Sequence, residues 1–437
     1  MGRLLPADTV ALLRQIGEAG DALCAPIYVV GGLPRDLLLG RPSADIDVMV
    51  EGDAEALGRW LAERLVAEFR YDDSFLTGKL LLPSGQHLDI ATARSEVYED
   101  PGALPTVRPA AATDELRRRD FSINTLAIRL NGASFGNVLD PFGGVEDVRT
   151  GLVRVLHEES FSDDPTRVFR AVRFAGRYRL RLEERTEQWA LAAIASGVVD
   201  GISAQRRREE IVAILSEPSP APSLALLELY GGLRLIDAAL RVTPELERVM
   251  ERIAELVSPE LTAVRAAGTP DEAASWPEVW MLHAAALLQQ LGVSGAARAC
   301  ERLRLTASAA KHIIAAVGHA GDAATAMGSP EHLAPSRIYS AFADLPLSVP
   351  LLSLALAPSP AARERVRHYL HTLRHVRADI TGDHLLAEGH RPGPAFAPAL
   401  RAALSAKLDG AAETPQQLRV ALAVLRGEGA SPGPRCR

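Results

Sequence analysis

The 437-residue chain carries a formal net charge of −7, and 47% of its residues are hydrophobic and 24% charged. This composition is typical of folded globular proteins and excludes a mostly disordered chain, while the length predicts about two to four domains. No apolar run reaches the ~18 residues that a membrane-spanning helix needs, and the first residues lack a signal-peptide pattern. The three widely separated cysteines predict neither a disulfide framework nor a metal knuckle, so we expect a cytoplasmic protein.

The negative total charge conceals a basic segment. Between Arg167 and Arg181 there are six arginines and no acidic residue. Because charges in solution act over a Debye length of about 10 Å, this segment can bind phosphate groups although the whole chain is acidic.

The N-terminal part of the chain mixes helical and strand periodicity. An amphipathic segment at 8–23 precedes the apolar run Ile27–Val30, which predicts a helix followed by a strand. Gly31 and Gly32 then predict a tight turn, and the next residues a short helix that ends at Gly40. Further strands are predicted at Asp45–Val50, Leu80–Leu82, Leu88–Ala91 and Leu126–Leu130.

The residue composition and the hydrophobic periodicity change along the chain. The proline-containing stretch Ala93–Thr113 predicts a long surface loop. From about residue 150 onward, alanine, leucine and arginine recur at helical spacing. We therefore predict an α+β head with a small mixed β-sheet, followed by a long all-helical part.

Two aspartates indicate a metal site. Asp45 and Asp47 alternate along a predicted strand, so their carboxylates project from one face, about 6–7 Å apart at the backbone. Carboxylates so placed can bind Mg2+ together with the phosphates of a nucleotide. Alone, the pair favours solvated charge at a strand edge over a metal site. The upstream Gly31–Gly32 turn would let backbone N–H groups approach a triphosphate, and Arg35 adds a bidentate phosphate donor, although a double glycine also suits any turn with positive φ.

A second candidate surface lies on a predicted helix. At 100° per residue, Arg167, Arg170, Arg173 and Arg177 fall within an arc of about 120°, and apolar residues occupy the other side. Such a face is either a phosphate-binding surface or a merely solvated one. The preceding Asp163–Asp164 pair is a candidate for the same site or, alternatively, for a helix cap with Pro165 at the first helical position.

Five motifs, in order, resemble those of the class II tRNA nucleotidyltransferase and bacterial poly(A) polymerase family. Val29–Gly40 followed by Asp45-Ile-Asp47 is similar to motif A of that family. The others are Arg118–Ala127, Asp140–Gly144, Asp163–Phe174 and Ile202–Glu210, the last with Gln205 where the family usually has glutamate.

The resemblance implies an enzyme that uses CTP and ATP to extend the 3′ end of tRNA, with Mg2+ as cofactor and no obligate protein partner. Its fold would be a polymerase-β-like nucleotidyltransferase head at 1–150, a helical neck with a nucleotide-selecting helix at 151–215, a helical body at 216–330 and a tRNA-binding helical tail at 331–437.

The resemblance also assigns residues. Asp45 and Asp47 would be the metal ligands and catalytic carboxylates, and Asp89 is the candidate for a third. Those expected to bind the nucleotide are Gly31, Gly32 and Arg35 at the triphosphate, Arg119, Asp120 and Asn124 along the site, and Asp163, Asp164, Arg167, Arg170 and Arg173 on the neck side.

Base selection follows from hydrogen-bond chemistry. Cytosine and adenine present an amine donor beside a ring-nitrogen acceptor, whereas uracil and guanine present the reverse. Ionised aspartate only accepts and arginine only donates, so Asp164 and Arg167 would together accept C and A. Their spacing predicts neighbouring positions on one helix face.

Several related activities remain open: full CCA addition, CC-only or A-only addition, and poly(A) synthesis. The stretch Ser95–Pro105 looks complete and so disfavours CC-only addition, which in this family goes with a shortened loop. Intact Asp45 and Asp47 disfavour a non-catalytic RNA-binding relative, and the long helical part disfavours a small-molecule nucleotidyltransferase. His283 lacks a following aspartate, so we expect a structural histidine and no phosphohydrolase activity.

Overall fold

A computed structural model describes residues 4–41, 45–97, 106–267, 276–411 and 413–427. The chain divides into two compact units, Met1–Ile202 and Ser203–Arg437, called the first and second unit below. The first is built around a mixed sheet and the second is helical, which confirms the predicted α+β class with a long helical part.

The sheet of the first unit has seven strands in the order β3-β4-β5-β2-β1-β8-β9. Only β2 and β5 are parallel, and the other neighbours are antiparallel. The strands are β1 (Ile27–Val30), β2 (Ile46–Val50), β3 (Glu68–Asp72), β4 (Thr77–Leu81), β5 (His87–Thr92), β8 (Ala127–Arg129) and β9 (Val138–Leu139).

Two small strand pairs, eight α-helices and three short 3-10 helices complete the described part of this unit. The pairs are the hairpin β6 (Arg94–Val97) with β7 (Thr106–Pro109), and β10 (Leu152–Val153) with β11 (Arg181–Leu182). The helices are α1 (Ala7–Ala22), α2 (Gly32–Leu38), α3 (Ala54–Leu65), α4 (Ala112–Arg117), α5 (Gly144–Thr150), α6 (Ser160–Asp163), α7 (Arg167–Tyr178) and α8 (Glu184–Ala195).

Side-chain alternation determines which helices cover which face of the sheet. Val29, Val48 and Ile90 belong to a core that includes residues of α1 and α3. On the other face, Val30 and Met49 belong to a smaller core with residues of α4. The central strands are thus buried on both sides, while the end of β1 leads directly into the Gly31 turn.

The predicted strands at 27–30, 45–50, 88–91 and 126–130 are present within one residue, and the one predicted at 80–82 is present as β4, which begins three residues earlier. The surface loop predicted at 93–113 is wrong for the described residues, because they form β6, β7 and the start of α4. The two strands satisfy each other's backbone groups, which proline-based loop signals do not anticipate. The tip of this segment, which includes most of Ser95–Pro105, lies outside the described residues.

The described second unit consists of helices joined by short turns. They span Ala204–Leu215, Ala221–Leu229, Pro244–Arg252, Ser258–Ala267, Val279–Leu288, Gly292–Arg302, Ala307–Met327, Pro335–Ser340, Ser348–Leu356, Pro360–His371, Gly382–Ala387, Phe396–Leu408 and Thr414–Leu425. The last three share a small core of their own around Leu385, Ala399 and Ala421. Within the described residues, no helix combines the length and apolar character that crossing a membrane requires.

Candidate active site

A cavity of about 380 Å³ in the first unit collects most of the predicted nucleotide-binding residues. Five arginines and two aspartates line it, so the lining carries a net positive charge. The lining residues are Gly31, Gly32, Arg35, Arg118, Arg119, Asp120, Asn124, Asp164, Arg167, Arg170 and Phe174.

The glycine turn brings backbone and carboxylate into close contact. Gly31 has φ 73° and ψ −129°, a conformation that side-chain-bearing residues rarely adopt. A Cβ atom there would lie 2.3 Å from Oδ2 of Asp47. Glycine is therefore needed for its conformation and for the space that the Asp47 carboxylate occupies.

The sheet register brings the predicted catalytic carboxylates together. Asp47 is the direct neighbour of Val30 on β1 and of Asp89 on β5. Burial raises the pKa of Asp47, and the negative charges of Asp89 and Asp45 raise it further, while Arg119 opposes them. A carboxylate that is partly desolvated and repelled by two others fits a divalent cation, because the cation would remove both penalties.

The three aspartates do not form a closed ligand cluster. No group of three or more acidic, histidine or cysteine side chains in the described parts of the chain is arranged to hold a metal ion. The Asp89 carboxylate is exposed and lies 3.6 Å from Nζ of Lys79. Asp45 and Asp47 thus remain the residues that could hold a divalent cation, with Asp89 beside them.

Arg35 is held rigidly at the cavity wall. The guanidinium is buried and donates to Oδ1 of Asn124 at 2.6 Å, to the Tyr178 hydroxyl at 2.5 Å and to Oδ1 of Asp36 at 3.0 Å. It also lies over the rings of Tyr178 and Phe174, at 4.6 and 5.2 Å from their centroids. A fixed guanidinium suits phosphate binding, because little side-chain entropy remains to be lost.

A buried aspartate joins the segment that follows α4 to the helix α7 within the first unit. The Asp120 carboxylate accepts from Nδ2 of Asn124 at 2.8 Å and from Nε of Arg170 at 2.8 Å, and it forms an ion pair with Arg170. It also accepts from the N–H of Phe121 at 2.9 Å. Asp120 is therefore an anchor for two other cavity residues, since its oxygens already have these donors.

A second buried acid orients the paired arginines. Glu115 on α4 receives two hydrogen bonds from Arg118, at 2.8 and 2.6 Å, and lies 3.7 Å from Nη2 of Arg119. Burial lowers the pKa of Arg119, and the charges of Glu115 and Asp47 counteract the shift. The arginines are thus fixed between Glu115 and the cavity.

The predicted two-faced helix is present as α7. Val168, Phe169, Ala171, Val172 and Ala175 are buried, as the periodicity predicts, while the arginines occupy the other face. Nη1 of Arg167 donates to Oγ of Ser160 at 2.6 Å, and Nη2 donates to the Arg118 carbonyl at 3.3 Å.

The expectation that Asp164 and Arg167 share a helix face is wrong. α7 begins at Arg167, and Asp164 precedes it in an extended conformation, with φ −142° and ψ 94°. The Asp164 carboxylate accepts from both the N–H and the hydroxyl of Thr166, at 3.1 and 2.7 Å. The alternative capping role is found for Asp164, whose carboxylate accepts from the N–H of Thr166 in the turn that leads into α7, although Pro165 precedes the first residue of the helix. Both Asp164 and Arg167 nevertheless line the cavity.

Two predicted residues lie outside the cavity lining. Asp163 is exposed, and its carboxylate lies 3.8 Å from Nε2 of His157. Arg173 lies against the ring of Phe174, with 5.4 Å between guanidinium carbon and centroid.

Other predicted features have structural roles. Asp140 accepts from the N–H groups of Gly144 and Val145, so its motif fixes the start of α5. In the second unit, the amide of Gln205 donates to Glu209 at 3.1 Å. His283 is fully buried and its Nδ1 lies 2.8 Å from the Leu215 carbonyl oxygen.

Sequence reasoning missed four residues that shape the site: Phe174 and Arg118 in the lining, and Tyr178 and Glu115 behind it. Phe174 and Tyr178 are stacked, with ring planes 8° apart and centroids at 6.1 Å. Their spacing of four residues on a predicted helix was an available signal, since such pairs are neighbours. Glu115 precedes Arg118 by three residues and Arg119 by four, so the same helical spacing was an available signal for its pairing with both arginines.

Comparisons with known proteins agree with this geometry. Residues 27–154 match the family model described as the poly A polymerase head domain. The chain is 35% identical over 436 residues, 97% of its length, to a protein of Geobacter sulfurreducens named A-adding tRNA nucleotidyltransferase, of which it covers 48%. It spans about half the length of the first curated relatives that it matches.

Solved structures resemble the whole chain. One described as a CCA-adding enzyme in its apo form II is 30% identical, with a TM-score of 0.75 and coverage of 96% of this chain and 97% of that one. The Thermotoga maritima CCA-adding enzyme, solved in complex with tRNA, is 29% identical, with a TM-score of 0.68 and coverage of 97% of both chains.

Proposed function

Because this chain belongs to the class II tRNA nucleotidyltransferase family, we propose that it transfers AMP and CMP from ATP and CTP to the 3′ end of tRNA without a nucleic-acid template. The observation that carries the proposal is the cavity that joins the Gly31–Gly32 turn, five arginines and the adjacent Asp47. A polyanionic triphosphate suits the positive lining, and a carboxylate beside it suits metal-dependent transfer.

In the proposed reaction, the tRNA 3′ oxygen forms a bond with the α-phosphorus while the bond to pyrophosphate breaks. Bound Mg2+ would neutralise phosphate charge and favour ionisation of the attacking hydroxyl. Asp45 and Asp47 would hold it, and Asp89 would complete the carboxylate set. Arg35 and the N–H groups of the glycine turn would bind the leaving phosphates.

The neck-side wall would read the base. Asp164 would accept from the amine of cytosine or adenine, and Arg167 would donate to the neighbouring ring nitrogen. Arg119, Asp120 and Asn124 would define the sugar side of the site, with Asp120 aligning Arg170. Asp163 and Arg173 would act from outside the lining, Asp163 next to the Asp164 turn and Arg173 by supporting Phe174.

The second unit would bind the tRNA body. We retain the proposed division into a head at 1–150, a neck at 151–215, a body at 216–330 and a tail at 331–437. Binding through phosphates and shape predicts an affinity that falls as salt rises. A cytoplasmic location would follow from the substrate.

Addition of the terminal AMP is the step that best fits the relatives, because the Geobacter sulfurreducens protein is named A-adding and the structural neighbours CCA-adding. CMP addition is the second candidate, favoured by likeness to CCA-adding enzymes along nearly the whole chain.

The test uses tRNA ending at position 73, 74 or 75, offered CTP and ATP separately and together. We expect AMP incorporation at the substrate ending at 75. Incorporation of CMP into the tRNA that ends at position 73 would show that the enzyme also synthesises the whole CCA end. Repeated addition of AMP would instead indicate poly(A) synthesis. If no nucleotide is added to any of the three substrates, the proposal is wrong.

A further inference from the structure

A straight row of charged side chains begins at the proposed catalytic carboxylates. Asp47 on β2 lies directly opposite Asp89 on β5. Asp89 in turn lies opposite Lys79 on β4, and Lys79 lies opposite Arg70 on β3. Direct partners on neighbouring strands project from the same face of a sheet. The four side chains therefore form one row, with two carboxylates followed by two cations.

Packing of the first unit does not account for the two basic residues. Lys79 and Arg70 are exposed, whereas the alternate residues of these strands, such as Leu80, face the core. Helix α3 covers that opposite face, where Gly58 lies against the ring of Phe69. The row thus lies on the face opposite α3, and it is exposed to solvent at β5, β4 and β3, beyond the smaller core around Val30 and Met49.

The row extends away from the nucleotide cavity. In the sheet order, β2 has β1 and the Gly31 turn on one side, and β5, β4 and β3 on the other. In nucleotidyl transfer the attacking and leaving oxygens lie roughly in line on opposite sides of the phosphorus. If pyrophosphate leaves near Gly31 and Arg35, the attacking 3′ oxygen must approach from the side of Asp89 and Lys79.

We propose that Lys79 and Arg70 form a track that binds the backbone phosphates of the last nucleotides of the acceptor RNA and directs its 3′ end to the aspartates. This inference rests on the proposed function, because it requires an RNA 3′ end as acceptor. Adjacent strands are about 4.8 Å apart, so the two cations can bind neighbouring phosphate groups.

The charges around the track confine the path of the RNA. Glu68 and Asp72 project from the same face of β3 on either side of Arg70, so they repel phosphates that leave the row. The ion pair of Lys79 with Asp89, at 3.6 Å, keeps the ammonium next to the carboxylates. An arriving phosphate would therefore meet Lys79 immediately before the reaction centre.

The experiment measures KM for tRNA and KM for ATP separately in Lys79→Gln and Arg70→Gln. Arg70→Gln is the cleaner variant, because it leaves the Lys79–Asp89 pair intact. The control is Arg59→Gln on α3, which removes an exposed charge, paired there with Glu55, from the helix that covers the opposite face. Each track variant should raise KM for tRNA about two- to fivefold and leave KM for ATP unchanged. The dependence of log KM on log salt should become shallower by about 0.7 for each variant.

A modified substrate identifies the contact. tRNA with neutral methylphosphonates at its last two internucleotide linkages should raise KM for the wild-type enzyme, and Arg70→Gln should add no further increase with that substrate. If KM for tRNA in both track variants equals that of Arg59→Gln, or if the variant and the methylphosphonates act independently, the track is refuted. A wild-type enzyme that extends no tRNA would instead refute the proposed function.

Discussion

Replacing Gly31 with alanine tests the closest contact in the proposed active site. An alanine Cβ would lie 2.3 Å from Oδ2 of Asp47, and contacts of this kind are essentially never shorter than 3.0 Å. The carboxylate and the turn must therefore separate by at least 0.7 Å. Because Asp47 would hold the catalytic metal, the displacement acts directly on the reacting atoms.

The expected effects on stability and activity differ in size. Holding alanine at φ 73° and ψ −129° costs about 1–3 kcal/mol, which lowers the Tm of a unit of this length by a few degrees for each kcal/mol. A displacement close to 1 Å in an active site reduces the rate by about a hundredfold. Gly31→Ala should therefore fold at the assay temperature and be about a hundredfold less active.

The assay compares kcat/KM for ATP with the thermal unfolding midpoint in Gly31→Ala and Gly85→Ala. Gly85 also has a positive φ, 83°, but no atom lies within 4 Å of its added Cβ. Both variants should lose stability, and only Gly31→Ala should lose most of its activity.

Activity of Gly31→Ala within a few-fold of Gly85→Ala would show that Asp47 need not occupy its position against the turn. The metal role assigned to Asp47 would then have to be abandoned.

Four further outcomes are expected. Asp45→Ala and Asp47→Ala should each reduce nucleotide addition about a thousandfold or more with unchanged circular dichroism; activity within a few-fold of wild type would exclude the metal role. Asp164→Ala and Arg167→Ala should lose about two orders of magnitude of discrimination against UTP and GTP, measured as kcat/KM for all four nucleotides, whereas an equal loss for all four would mean a structural pair. Asp47→Asn should raise Tm at neutral pH in metal-free buffer, because it removes a carboxylate whose charge is disfavoured by burial and by two negative neighbours. Added Mg2+ should raise the Tm of the wild type only. A Tm of Asp47→Asn below that of the wild type in metal-free buffer would contradict this reasoning. Burial lowers the pKa of His283, so the imidazole binds a proton more readily in the unfolded chain, and the free energy of unfolding should fall as pH drops below 6.5. His283→Gln should make the free energy of unfolding less dependent on pH in acid unfolding curves. An unchanged curve would mean that other groups cause the pH dependence.

Local sequence patterns determined the elements that carry the chemistry. The apolar run before Gly31 and the alternation after Asp45 predict β1 and β2 correctly, because hydrophobic periodicity is a local property. The same holds for α7, whose buried and arginine-bearing faces follow from residue spacing. The motifs were sufficient to indicate the family.

Only the tertiary structure decided how these elements meet. The pairing of Asp47 with Asp89 depends on strand register, and the parallel neighbour of β2 is separated from it by three intervening elements of the chain. The ion pair of Asp120 with Arg170 likewise joins residues 50 positions apart, so it requires α7 to pack against the segment that follows α4. The helix α7 begins at Arg167, and Asp164 lies before it in an extended conformation with its carboxylate bound to Thr166. Side chains distant in sequence become partners through packing and hydrogen bonding, and the hydrophobic periodicity of the chain predicts neither of these.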